Sequence, residues 1–219
     1  MTVVDRTRPD PLEVGGSEAM VLFDWNGTVV TDDDRAREAL GAALVRQGLP
    51  EVSRADFPAT FRLPMGEMFR DLGVPSPLLG QAEDDWNCYM AAHRTSLRAG
   101  TAPALSALSA AGVWLGVVSA AARAAVEFDL SSLGVPRLFD SVEAPVADKV
   151  AALTGHRGRR RRAFYVGDTA YDMRSAVAAG YVPIAVRGGY APVTVLEEAG
   201  AIHVVDSIVE VAEIVLGAR

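Results

Sequence analysis

Short apolar runs alternate with amphipathic stretches along most of the chain. The apolar runs have the length of buried strands, and the stretches between them repeat their apolar positions as helices do. The predicted strands lie at residues 20–24, 113–119, 139–143, 163–168, 182–186 and 203–205. The predicted helices lie at residues 32–48, 61–72, 77–97, 102–111, 121–133, 146–153, 171–179, 193–199 and 207–216. Buried strands that alternate with helices predict an α/β fold in which right-handed βαβ units build a doubly wound parallel sheet.

The long helical stretch after the first predicted strand divides the chain into two units. No strand pattern is found between about residues 33 and 98, so these residues are predicted to form a helical cap inserted into the sheet domain. The Rossmann-like core then consists of residues 19–32 and 99–219. Residues 1–18 contain two prolines, two adjacent glycines and no apolar periodicity, so they are predicted to be an irregular leader.

The composition is that of a globular protein. Half of the 219 residues are hydrophobic and 22% are charged, which allows a sizeable core and excludes global disorder. No apolar run approaches the roughly 18 residues of a membrane span, and no signal-peptide segment is found. We therefore expect a cytoplasmic protein with no membrane partner. The single cysteine, Cys88, excludes an intrachain disulfide and a cysteine-based zinc cluster.

Charge adds two observations. The net charge of −7 argues against a nucleic-acid partner, and it favours a solvated loop over a phosphate-binding patch for the basic run at residues 157–162. Lysine and arginine total 21, but Lys149 is the only lysine. Codon usage can produce such a ratio. A single retained lysine also indicates a site that needs a compact ammonium group, which a planar guanidinium does not replace.

Polar side chains stand where several predicted strands end. Asp24, Ser119 and Asp168 each close a predicted strand. Asp172 follows one helical turn after Asp168, and Lys149 precedes or opens a helix on the same side. Because ligands of open parallel sheets bind beyond the carboxyl ends of the strands, these side chains are predicted to converge at one edge of the sheet.

Such a cluster favours phosphoryl transfer. Carboxylates at close range repel each other, and a hard divalent cation such as Mg²⁺ relieves the repulsion while it also takes phosphate oxygens. Lys149 and the Ser119 hydroxyl would bind the remaining phosphate charge, and Asp24 can attack phosphorus to form an aspartyl-phosphate. Each residue alone has a plainer interpretation, as a turn residue, a helix cap, a first-turn acid or a surface lysine. Their order and shared location favour a common site.

The ordered set of motifs resembles the haloacid-dehalogenase-like (HAD) hydrolase superfamily over roughly residues 19–216. The first motif of that family, hhhDxDGTh, is similar to VLFDWNGTV at residues 21–29, and its GDxxxD motif is similar to GDTAYD at residues 167–172. The family's second motif, hhh(S/T), and its lysine are similar to the run that ends at Ser119 and to Lys149. The insertion resembles the helical cap of phosphoglycolate-phosphatase-like and β-phosphoglucomutase-like members.

The resemblance implies a role for each of these residues. Asp24 would be the nucleophile. Mg²⁺ would be bound by Asp24, the backbone carbonyl of Asn26 and Asp168, with Asp172 supporting the metal directly or through water. The phosphoryl group would be held by Trp25, Thr28, Ser119, Ala120 and Lys149.

Asn26 departs from the family pattern. The family's phosphatases carry a second aspartate there, which resembles a general acid and base, whereas an amide does not exchange protons in the useful pH range. General acid–base catalysis is worth ~10²–10⁴ in rate. Its loss matters most for alkyl phosphates and least for acyl, aryl or anomeric phosphates. We therefore expect Asn26→Asp to raise turnover on alkyl phosphates more than on aryl phosphates.

Three functions are compatible with this departure. The first is a phosphohydrolase for a small phosphorylated metabolite with a good leaving group, or with another group that moves the proton. The second is a low-turnover phosphate-ester-binding protein with a regulatory or accessory role. The third is another superfamily enzyme, such as a transferase or mutase.

The predicted cap contains one candidate for substrate selection. Residues 61–66 are expected to face the substrate, and Arg62 is interpreted either as a clamp for an anionic substrate group or as a solvated arginine. Either a monomer or a homodimer is compatible with the sequence.

Overall fold

The computed structural model describes residues 18–135 and 138–217, and a parallel sheet lies at its centre. The strands are β1 (Ala19–Phe23), β2 (Val30–Thr31), β3 (Ser96–Leu97), β4 (Trp114–Val118), β5 (Ser141–Glu143), β6 (Arg162–Gly167), β7 (Val182–Val186) and β8 (His203–Val205). The α-helices are α1 (Asp33–Arg46), α2 (Phe57–Thr60), α3 (Met65–Asp71), α4 (Leu79–Ala92), α5 (Thr101–Ala110), α6 (Arg123–Leu133), α7 (Lys149–His156), α8 (Ala170–Ala178), α9 (Val193–Glu198) and α10 (Ile208–Leu216). Short 3₁₀ turns lie at Ser76–Leu78 and Arg157–Arg159.

The main sheet has six strands in the order β5-β4-β1-β6-β7-β8. Every neighbouring pair is parallel, and β1 lies between β4 and β6 with Met20 paired to Trp114 on one side and to Ala163 on the other. All five residues of β1 are buried, as expected for a central strand that is covered on both faces. The predicted α/β class with a doubly wound parallel sheet is confirmed.

Alternate residues of β1 pack against helices on opposite faces of the sheet. Val21 and Phe23 belong to an apolar cluster that includes residues of α5, α6 and α10, whereas Met20 and Leu22 pack with residues of α7 and α8. Covering both faces in this way leaves the edge at the carboxyl ends of the strands for polar side chains. Because β1 is flanked by β4 and β6, the residues that follow these three strands lie side by side.

Helices α1 to α4 surround an apolar cluster that also includes Ala125 of α6 and Tyr190. Leu40, Leu44, Met68, Phe69 and Trp86 are buried in it. The chain enters this unit after β2 and leaves it through β3, and these two strands pair antiparallel with Val30 opposite Leu97. The two connections between the helical unit and the sheet domain therefore run together as one short ribbon.

The structure corrects two expectations about the insertion. The predicted helix at 61–72 begins only at Met65, as α3, because Pro64 precedes it and the residue before a proline is disfavoured in the helical region. The short helix α2 lies before the predicted start and was not expected. The predicted helix at 77–97 ends at Ala92, and the chain goes on to β3, although no strand was expected between 33 and 98. A two-residue strand carries no periodicity of its own, since only its pairing partner defines it.

The predicted leader, apart from Glu18, lies outside the described residues. Within the described residues, no helix combines the length and the apolar character that a bilayer crossing requires.

Candidate active site

Asp24 directly follows β1 and is continuous with the sheet, since its N–H donates to the Val166 carbonyl at 2.8 Å. Its side chain is buried, with 7% of the residue exposed. The Ser119 hydroxyl and the Trp25 N–H also interact with the Asp24 carboxyl group and favour its charged form, which lowers its pKa against the effect of burial. Oδ1 of Asp24 is buried and has no hydrogen-bond partner among the described residues. This oxygen is paired by charge with the Lys149 ammonium, 3.1 Å away, and not by a hydrogen bond.

Lys149 begins α7 and is fully buried. Its Nζ lies 2.5 Å from Oδ1 of Asp172 and 3.1 Å from Oδ1 of Asp24. Burial by itself lowers the pKa of this lysine, but the attraction of Asp172 and then of Asp24 outweighs burial and raises its pKa overall. The ammonium group is therefore held charged between the two carboxylates.

Asp168 and Asp172 are fixed by different local structures. Asp168 follows β6, where its Oδ1 accepts from the Thr28 hydroxyl at 2.8 Å and its Oδ2 accepts from the Tyr190 N–H at 2.7 Å. Asp172 lies in the first turn of α8 and forms a capping box with Thr169, whose N–H donates to Oδ2 of Asp172 at 3.0 Å. Both carboxylates are fully buried.

Two glycines allow the backbone to approach Asp168. Gly27 has φ of +70°, and a Cβ there would collide with the Asp168 carboxylate. A Cβ at Gly189 would collide with the same side chain. The NGT segment at residues 26–28 and the GGY segment at residues 188–190 therefore come close to Asp168 because neither glycine carries a side chain.

The acidic cluster suits a divalent cation. Asp24, Asp168 and Asp172 each offer an oxygen, and these oxygens lie within 4.8 Å of one another. Burial raises the pKa of Asp24 to about 6 against the attraction of Lys149, and it raises the pKa of Asp168 well above its ordinary value, with Asp172 adding to both shifts. Three buried carboxylates beside a single ammonium group leave negative charge that a hard cation neutralises, so the residues present fit Mg²⁺.

The remaining residues of the first motif point in different directions. Thr28 contacts Asp168, whereas the Trp25 indole is fully buried away from the cluster and donates to Oδ2 of Asp129 at 2.9 Å. Only the backbone N–H of Trp25 reaches Asp24. Residues 25–28 are called the nucleophile loop below, after the role that the family resemblance implies for Asp24.

Ala120 and Arg62 lie in different settings. Ala120 is half-buried in the loop directly after Ser119. Arg62 is exposed between α2 and α3, where it forms an ion pair with Asp71 and donates to the Thr60 carbonyl at 3.3 Å. The structure thus brings Asp24, Ser119, Lys149, Asp168 and Asp172 together and engages Arg62 on the surface of the helical unit.

The Asn26 side chain has a partner that was not expected. Its amide donates to Oδ2 of Asp32, whose Oδ1 also accepts from the Gly27 N–H at 2.9 Å. Arg35 pairs with Asp32 at 3.0 Å and with Asp129 at 2.7 Å. The i,i+3 spacing of Asp32 and Arg35 could have indicated their contact, but nothing in the local sequence indicates Asp129, 94 residues away from Arg35.

Arg98 is a further residue that the sequence pattern did not indicate. It is buried directly after β3, and its guanidinium donates to the backbone carbonyls of Thr28 at 2.9 Å, Arg187 at 3.1 Å and Gly27. Burial lowers the pKa of Arg98, against the attraction of Asp168 and Asp32. This cation therefore joins the nucleophile loop to the loop that follows β7.

Comparison with solved structures shows the same fold. A predicted phosphatase from Clostridium acetobutylicum superposes with a TM-score of 0.80 at 19% identity, covering 91% of this chain and 98% of that one. A predicted phosphoglycolate phosphatase from Haemophilus somnus gives 0.76 at 17% identity, with 90% and 98% covered. CbbY from Rhodobacter sphaeroides, in complex with phosphate, gives 0.70 at 22% identity, with 88% and 95% covered.

Sequence comparison identifies the family. No curated protein matches this chain by sequence. The family model described as haloacid dehalogenase-like hydrolase matches residues 21–186, a range that contains the nucleophile loop, Ser119, Lys149 and the acidic cluster. The chain belongs to the haloacid dehalogenase-like hydrolase family.

Proposed function

We propose that this protein is a Mg²⁺-dependent phosphatase that hydrolyses a small phosphorylated metabolite through an aspartyl-phosphate at Asp24. The observation that carries the proposal is the buried cluster in which Asp24 meets Lys149, Ser119 and two further carboxylates. Several structures of the same fold are named phosphatases, and one was solved with phosphate bound. The cluster matches what phosphoryl transfer requires, which is a nucleophile within a field of positive charge and hydrogen-bond donors.

The chain's own residues supply most of the chemistry. A carboxylate oxygen of Asp24 forms a bond to phosphorus as the bond to the leaving oxygen breaks, and water then cleaves the acyl phosphate to release phosphate and restore Asp24. Lys149 and Ser119 bind the non-bridging oxygens of the phosphoryl group. Asp24, Asp168 and the Asn26 carbonyl would hold Mg²⁺, supported by Asp172, and the ion would neutralise phosphate charge there.

The side chain at position 26 limits the range of substrates. Asn26 does not carry a proton to the leaving oxygen, so the substrate must leave readily or supply its own proton. We propose acyl, aryl or anomeric phosphates as the favoured classes, and alkyl phosphates as poor substrates.

A phosphate-release screen tests this function. Purified protein is assayed on acyl, aryl, sugar and nucleotide phosphates with Mg²⁺ and with EDTA. We expect release from at least one class with Mg²⁺, little release in EDTA, and none from Asp24→Asn. Asp84→Asn, an exposed change on α4, is the matched control and should keep full activity. Equal release by Asp24→Asn and the parent protein would overturn the proposal.

The contact of Asn26 with Asp32 also favours a second function, phosphate-ester binding with little turnover. In that case calorimetry would show ligand binding that requires Mg²⁺, while the same ligands would be recovered unchanged. Product formation with the bound ligand would exclude this second function.

A further inference from the structure

The Asp32 carboxylate is surrounded by hydrogen-bond donors. Asp32 is 2% exposed. Its Oδ1 accepts from the Gly27 N–H at 2.9 Å and from the Tyr190 hydroxyl at 3.0 Å. Its Oδ2 accepts from the Asn26 amide and from the Arg35 guanidinium, the latter at 3.0 Å. Because all of these partners donate, both side-chain oxygens of residue 32 must accept if every contact is to be satisfied, as the oxygens of a carboxylate do.

Arg35 connects this carboxylate to both structural units. It donates to two backbone carbonyls at the end of α4, at 3.2 and 3.1 Å, and to both oxygens of Asp129 on α6, at 2.7 and 2.9 Å. Asp129 in turn accepts from the Trp25 indole. Two consecutive side chains of the nucleophile loop, Trp25 and Asn26, are therefore held by one buried charge cluster that has Arg35 at its centre.

We propose that Asp32 is a positioning residue for the nucleophile loop, and that an asparagine stands at position 26 because its amide complements this fixed carboxylate. An aspartate at position 26 would face Asp32 across the same contact, where buried like charges repel each other. The kinetic part of this proposal rests on the proposed phosphatase function, whereas the pairing of residues 26 and 32 does not.

The pairing changes the expected result of restoring an aspartate. Asn26→Asp alone brings two carboxylates together, so it does not place a working acid beside the leaving group. The exchange Asn26→Asp with Asp32→Asn keeps one amide and one carboxylate in contact. The amide of residue 32 then donates to residue 26, and its oxygen still accepts from Gly27 and Tyr190. The contact with Arg35 is lost in Asp32→Asn and in the double variant alike. We therefore expect the double variant to be more stable than the two single losses added together predict.

Thermal unfolding of the four proteins in EDTA tests the pairing without reference to activity. Each single substitution should lower Tm. The Tm of the double variant should be higher, by about 2–4 °C, than the sum of the two single losses predicts. Asp33→Asn combined with Asn26→Asp is the matched control, since Asp33 is exposed next to Asp32 and carries the same charge. In that control, the Tm changes of Asp33→Asn and Asn26→Asp should simply add. Additivity for Asp32→Asn as well would overturn the proposal.

Steady-state kinetics test whether Asp32 positions the loop or only stabilises the fold. Asp32→Asn should lower kcat by about 10–100-fold with little change in KM, and the double variant should recover kcat with a higher ratio of alkyl to aryl turnover. An unchanged kcat in Asp32→Asn at temperatures where it is folded would overturn the positioning role. If the parent protein hydrolyses no phosphate ester, the proposed function fails, and the Tm cycle still decides the pairing.

Discussion

Lys149 shows how a single residue depends on its surroundings. A fully buried ammonium group is stable only with close counter-charges, and Asp172 and Asp24 supply them at 2.5 and 3.1 Å. A guanidinium would need a wider, planar arrangement of acceptors. The retention of one lysine in a chain that otherwise uses arginine agrees with the confined space between these two carboxylates.

The raised pKa of Asp24 predicts a pH-dependent stability in the absence of metal. Burial raises the pKa of Asp24 from 3.8 to about 6. Between these two values the folded protein still binds a proton that the unfolded chain has already released. Stability therefore falls as pH rises from about 4 to 6, by about 3 kcal/mol at most, and stays lowered above pH 6. Asp24→Asn lacks this group, so in EDTA its Tm should exceed that of the parent protein at pH 7 and match it near pH 4.

Magnesium should reverse the difference in Tm between Asp24→Asn and the parent protein at pH 7. Because the cation binds the deprotonated carboxylate, Mg²⁺ should raise the Tm of the parent protein more at pH 7 than at pH 5, and it should have little effect on Asp24→Asn. Differential scanning fluorimetry across this pH range measures both effects. A pH-independent difference between the two proteins would contradict the raised pKa.

At the scale of elements, the start of α8 has two functions. Its capping box uses Asp172 to satisfy the Thr169 N–H, and the other oxygen of Asp172 accepts from Lys149 and from the Tyr165 hydroxyl. The helix start is therefore also the support of Lys149. A change in the cap is expected to reach the active site through Asp172.

Thr169→Ala tests this connection. Loss of the cap should lower the free energy of unfolding by about 1 kcal/mol, and kcat should fall because Asp172 is held less firmly. Ser207→Ala is a matched control, since Ser207 caps α10 through the Glu210 N–H in the same way. We expect a similar loss of stability there with kcat unchanged. Equal kcat values in the two variants would argue against a role of the α8 cap in the site.

At the scale of the whole molecule, the site is assembled where the helical unit meets the sheet domain. Phe61, between α2 and α3, packs on Tyr190 of the sheet domain with ring centroids 4.4 Å apart, and the Tyr190 N–H binds Asp168. Arg98, directly after β3, ties the nucleophile loop to the carbonyl of Arg187. Packing of the helical unit and geometry of the acidic cluster therefore depend on the same loops.

Arg98→Met should weaken this junction. The substitution leaves two buried backbone carbonyls and a partly buried one without this donor, so we expect a loss of about 3 kcal/mol in chemical denaturation, together with a lower kcat. Arg98→Lys keeps the positive charge but not the planar fork of donors, so its stability should lie between those of Arg98→Met and the parent protein. Arg174→Met, on the exposed face of α8, is the control and should change stability little. A loss no greater than that of the control would contradict the bridging role.

The strands and most helices of the sheet domain were predictable because each carries its own periodic pattern. The predicted strand at 182–186 coincides with β7, and the one at 203–205 coincides with β8. The helical insertion was less predictable. Its connection through β3 is defined by pairing with β2, and the break before Met65 depends on a single proline. Short elements of this kind leave little trace in hydrophobic periodicity.

The chain alone determined the parallel sheet, the order of the motifs and the set of acidic and basic groups at the strand ends, since apolar periodicity and strand polarity are local properties. Only the folded molecule decided what each of these groups contacts. The pairing of Asn26 with Asp32, the bridge from Arg35 to Asp129 and the Arg98 junction join residues that are distant in sequence or carry no pattern. Such contacts depend on how separate elements pack, because a buried polar group takes whichever partner the packing brings within reach.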